Sequence, residues 1–122
     1  MDELPRALYW EGSSKKDFKK FPAPVQKEMG FALYIVQLGR TPGSAKPWKG
    51  LGSGNYEIVE SYFGETYRAV YVVNIGDAVY VLHAFQKKSK SGIATPKPDV
   101  SLIENRFKAL LAKQRLNQGS IT

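Results

Sequence analysis

The chain has 122 residues, enough for one hydrophobic core and few for two, so a single domain over residues 1–122 is expected. Its 18 Lys and Arg against 11 Asp and Glu give a formal charge of +7 and a pI near 9.6, which favours nucleic acid, an anionic membrane or an acidic protein as partner. Without cysteine there is no disulfide framework or thiolate metal site, and one histidine among scattered carboxylates forms no zinc, calcium or magnesium pattern, so neither metal nor other cofactor is expected. No apolar run approaches the roughly 18 residues of a bilayer span, and the acidic opening Met1-Asp-Glu-Leu-Pro5 is unlike a leader; the expected location is the cytoplasm, with no membrane partner.

Residues 6–11, Arg-Ala-Leu-Tyr-Trp-Glu, are β-prone, and Ser13 or Ser14 then offers an N-cap for a short helix through Lys20. Beyond Pro22 and Pro24, apolar residues at Val25, Met29, Ala32, Leu33 and Val36 have helical spacing, with Gly39 and Arg40 as the stop. Residues 41–55 are rich in Gly, Pro and Ser, with Lys46, Trp48, Lys49 and Leu51 interleaved, and predict a long ordered loop. Strands are predicted at 56–63, 66–74 and 78–86, with turns at Gly64-Glu65 and Gly76-Asp77. A polar basic connection, 89–94, leads to Thr95-Pro96 as cap and first turn of a last helix, whose stripe is Val100, Ile103, Phe107 and Leu110. Residues 116–122 are expected to form a flexible tail.

The predicted strands carry fixed charges where packing alone requires none. If Gly76-Asp77 is a two-residue turn, Val70 stands opposite His83 and Arg68 opposite Phe85, so Arg68 and His83 share a face. Treating Gly64-Glu65 in the same way adds Glu57, Val59, Ser61 and Phe63 to that face, while Tyr67, Ala69, Tyr71 and Val73 form a packed one. That register places Glu57 opposite Val72, roughly 13 Å from Arg68 at strand rise, so no direct contact is expected. Lys87 and Lys88 have opposite parity, and one of the two faces the cleft. His83, between Leu82 and Ala84, reads equally as a hydrogen-bonded structural residue or as an acid or base.

The strings Tyr67-Arg-Ala-Val-Tyr71, Leu82-His-Ala-Phe-Gln-Lys-Lys88 and Thr95-Pro-Lys97 resemble the phage-derived HigB-like toxins of the RelE/ParE superfamily, over about residues 6–115. The resemblance implies an α+β fold: a RelE-like curved antiparallel sheet packed against two N-terminal helices, with a C-terminal helix. It also implies the toxin of a type II toxin–antitoxin system, a metal-independent mRNA endoribonuclease that inhibits translation, acting commonly on the ribosome and masked by a helix-turn-helix antitoxin. The same fold also serves ParE-like toxins that poison gyrase, and a noncatalytic nucleic-acid-binding protein of phage origin would keep the charge alone.

By that resemblance Arg68 is the strand arginine that stabilises the transition state, and Lys87 and Lys88 are phosphate binders or proton donors. His83 and Glu57 complete the candidate catalytic set. Lys46, Lys49, Lys90 and Phe85 are candidate RNA-binding residues. RelE itself carries lysines on the strand equivalent to 56–63, and HigB-like relatives often carry an arginine where this chain has Val59, so Glu57 as general base rests on analogy.

Overall fold

The computed structural model describes residues 4–87 and 95–119. Strand β1, Ala7–Trp10, is followed by helices α1, Ser14–Phe18, and α2, Ala23–Gln37. Strands β2, Ala45–Pro47, β3, Asn55–Tyr62, β4, Glu65–Val72, and β5, Ala78–Lys87, then lead to helix α3, Lys97–Gly119. The sheet order is β1-β5-β4-β3-β2. All neighbours are antiparallel except β1 and β5, which run parallel, Ala7 beside Ala78 through Trp10 beside Val81.

The segment 41–55 is not wholly a loop, because β2 pairs Lys46 with Glu57 and Pro47 with Tyr56. Three residues are too few for a readable period, and Pro47 is tolerated because β2 is an edge strand. Each sheet face covers its own core. Val25, Met29, Ala32, Leu33 and Val36 of α2 pack on Ile58, Tyr67, Ala69 and Tyr71. Ile103 and Leu110 of α3 pack on Val70, Val72, Leu82 and Phe85, with Phe107 and Leu111 at their margin. Expected as mainly chemical, the second face is thus half core.

Two departures from regular pairing set the register. The β3–β4 turn is centred on Phe63-Gly64 rather than Gly64-Glu65, with φ of 48° and 78°, the positive pair of a type I′ hairpin. Tyr62 therefore faces Glu65, and every β3 residue pairs two positions earlier on β4 than expected. In β5 the ladder passes from Tyr71–Val81 to Val70–His83, leaving Leu82 as a bulge. Arg106 donates from Nη1 to the Leu82 carbonyl at 2.8 Å and from Nη2 to Ser13 Oγ at 2.9 Å. Gly12, at φ +55°, leaves room for that guanidinium, since a Cβ there would stand 2.6 Å from Arg106 Nε.

Phe63 is a non-glycine residue in left-handed conformation and 88% exposed. Asn-Gly is the preferred I′ pair, so Phe63→Asn is expected to stabilise the fold by about 1 kcal/mol in urea unfolding. An unchanged or lowered midpoint would mean that the ring contact with Tyr62, at 4.6 Å between centroids, outweighs the backbone term.

Candidate functional site

The shifted register brings one side chain from each of four adjacent strands into a row. Lys46 on β2 stands directly opposite Glu57 on β3; Glu57 pairs with Val70 and so lies one diagonal step from Arg68 on β4. Arg68 faces Phe85 on β5, one diagonal step from Lys87, which pairs with Thr66. Diagonal neighbours of this kind are about 7–8 Å apart at the backbone, within reach of long side chains.

Arg68 Nη1 donates to Glu57 Oε1 at 2.8 Å, and Lys46 Nζ approaches the same oxygen at 3.4 Å. The Arg68 and Glu57 side chains are only 13% and 7% exposed. Glu57 Oε2 and Arg68 Nε are buried without a hydrogen-bond partner, so the pair retains an acceptor and a donor beyond its mutual bond. The Lys87 ammonium is held below the ordinary lysine value, by desolvation first and then by Arg68 and Lys46, with Glu57 opposing. Three cations and one carboxylate give the row a formal charge of +2 (3 − 1). Glu57 and Lys46 also line a groove of about 470 Å³ with Pro47, Trp48, Lys49 and Thr95.

Lys46, Glu57, Arg68 and Lys87 are therefore brought together, and Lys49 lines the adjoining groove. The expectation that Glu57 lies far from Arg68 is overturned, because it assumed a turn one residue further along the chain. Lys87 shares the face of Arg68; Lys88 and Lys90 lie outside the described residues.

Phe85 does not offer a free base-stacking face. It is buried in the α3 core with its ring stacked on His83 at 4.8 Å. His83 stands across Val70 from Glu57, two strand spacings or roughly 10 Å away, and its Nε2 donates to Asp99 Oδ1 at 2.8 Å. Nδ1 is buried without a partner. The histidine thus ties the first turn of α3 to the sheet. Asp99 was not legible as its partner, because an acid in a first helical turn already serves the helix dipole. His83→Asn and Asp99→Asn are each expected to cost about 1–3 kcal/mol in denaturant unfolding, with the double variant little worse than either. Additive losses would show that the contact does not carry stability.

Among the described residues no three His, Cys, Asp or Glu side chains are grouped to hold a metal ion, and no helix is long and apolar enough to cross a membrane.

The architecture and the row define a class: a small α+β protein of RelE-like fold with a net cationic row across one sheet face. The chain belongs to the phage-derived Gp49-like family (DUF891), whose model matches residues 16–108. A chain of the toxin–antitoxin complex RelBE2 from Mycobacterium tuberculosis has a similar fold, with a TM-score of 0.50 at 14% identity over 69% of this chain and 100% of that one. The comparison with curated proteins gives no match. The family match bears out the phage-derived resemblance, and the similar structure bears out the RelE-like α+β fold it implied.

Proposed function

We propose that this chain is the toxin of a type II toxin–antitoxin pair and cleaves mRNA with side chains, not a metal, supplying the charge. The observation that carries the reading is the Lys46–Glu57–Arg68–Lys87 row, which places a carboxylate with a free oxygen beside a buried guanidinium and a lysine of lowered pKa. Glu57 Oε2 takes the proton of a ribose 2′-hydroxyl, and the oxygen attacks the adjacent phosphorus. Arg68 stabilises the charge that grows on the phosphorane oxygens. The P–O5′ bond breaks and Lys87 returns a proton to the leaving oxygen, giving a 2′,3′-cyclic phosphate and a 5′-hydroxyl. Lys46 and Lys49 hold flanking phosphates, and the antitoxin is the protein partner that masks the toxin.

RNA end mapping after induction, with gyrase activity followed in parallel, tests the reading. Cuts within translated codons that leave cyclic phosphate ends, and purified protein active in EDTA, are expected. Intact transcripts with trapped gyrase complexes would refute it.

The pH profile carries a further expectation. Lys87 as proton donor is active while charged, so the rate is present below its pKa and lost as pH rises through it, at a pH below the ordinary value of about 10.5. Lys87→Met should remove that alkaline limb. A limb that persists in the variant assigns the proton to another group.

A further inference from the structure

Helix α2 is apolar on the side that faces water as well as on the side that faces the sheet. Its inward residues are Val25, Met29, Ala32, Leu33 and Val36. On the opposite side Phe31 is 64% and Tyr34 47% exposed, with Leu38 half-buried one turn further on. At 100° per residue Phe31, Tyr34 and Leu38 fall within about 60° of one another, with Lys27 on the axis of the stripe. Lys27 is the one charge within this stripe and Glu28, also exposed, lies at its edge beside Phe31; in a chain with 24% charged residues, so apolar a strip along three turns is not made for water.

A second feature points the same way. Gly30 is exposed within the helix, next to Tyr34 around its circumference, and a Cβ there would meet nothing within 4 Å. Neither internal packing nor backbone conformation requires glycine, which costs the helix stability relative to any good helix former. A glycine that nothing inside the protein needs leaves a notch for something outside.

The geometry points to the outer face of α2 as the docking surface for an amphipathic helix of a protein partner, about three turns long, with acidic residues set against Lys27. The stripe from Lys27 to Leu38 is about 18 Å long, which matches such a helix. Charge decides between occupants: two copies of this chain, each at +7, repel, whereas an acidic helix is attracted by the net charge and by Lys27. Because α2 covers the face of Tyr67, Ala69 and Tyr71, a partner seated there lies across the sheet from the Arg68 row. Docking and masking of the row are then separate tasks for the partner.

The probe is the product of the adjacent reading frame, co-expressed and titrated onto the purified full chain; this choice rests on the toxin–antitoxin reading, while the surface itself does not. The double variant Phe31→Ala, Tyr34→Ala, with two good helix formers at exposed positions, is expected to bind roughly thirtyfold more weakly or worse. Lys27→Glu should weaken binding further at low salt than at high. Gly30→Gln should raise the thermal midpoint of the free chain yet weaken the complex, a pair of opposite signs that a purely internal role for Gly30 does not produce. Equal affinity of wild type and double variant, or a free chain that is a dimer dissociated by these substitutions, would each overturn the proposal; no binding by the adjacent product would refute the toxin–antitoxin reading that chose the probe. RNA cleavage by the free double variant should equal that of wild type. A wild-type chain that binds the probe through α2 but leaves RNA intact would refute the cleavage reading alone.

Discussion

Arg68→Ala is expected to lower RNA cleavage by roughly 10²–10³-fold, the loss typical of removing one preorganised donor from a developing oxyanion. The side chain is poised for that task. It is largely buried, its Nη1 is fixed by Glu57 at 2.8 Å, and its Nε has no partner. The substitution also strands a buried carboxylate. Breaking such a pair outright costs about 3–5 kcal/mol, and less here because Lys46 stays at 3.4 Å from the same oxygen. Activity must therefore be read with stability, by urea unfolding and by binding to an RNA whose scissile nucleotide is 2′-deoxy. Arg68→Lys separates the two effects: it keeps a cation for Glu57 but loses the planar fork, so stability should recover more than rate. Wild-type cleavage by a folded Arg68→Ala protein would remove Arg68 from the mechanism.

That Arg68 is a candidate site residue was legible from the sequence; why it is fixed in place was not. Its parity with His83, Phe85 and Lys87 followed from turn placement between β4 and β5, and the observed pairs Arg68–Phe85 and Val70–His83 agree with it. The agreement has an unexpected cause. Near the turn the pairs are shifted by one, Val72 facing Tyr80, and the Leu82 bulge restores the register before Arg68 is reached. A bulge whose extra residue is an ordinary leucine leaves no local signature, and its support is the distant Arg106.

On the β3 side the failure is instructive. Gly-Glu resembles a turn pair better than Phe-Gly does, because phenylalanine is disfavoured at positive φ. The chain adopts Phe-Gly nonetheless, and that two-residue displacement of the ladder turns Glu57 from a remote residue into the partner of Arg68. Lys46 was readable as a basic loop residue but not as a strand residue, since the three residues of β2 gain their order from β3 alone. His83 and Phe85 were correctly placed on the site face. Which residues on that face are chemical and which lie beneath α3 depends on where the helix lands, and that is a tertiary fact.

Glu57→Gln is expected to slow cleavage by roughly 10²–10⁴-fold while tightening RNA binding. The substitution preserves size and leaves an oxygen to accept from Arg68, but it removes the base and raises the formal charge of the row from +2 to +3. Slower chemistry with tighter binding separates a base from a residue that merely orders the site, whose loss would weaken both. The pH profile of the residual activity adds a directional check. Glu57 raises the Lys87 pKa, whereas Arg68 and Lys46 lower it. Without the carboxylate the Lys87 ammonium is less favoured, so the alkaline limb should move to lower pH; Lys46→Ala should move it to higher pH. Opposite displacements from two neighbours of the same lysine are required if Lys87 carries the leaving-group proton. Identical profiles in both variants would leave the row as a phosphate-binding surface without the proposed division of acid and base.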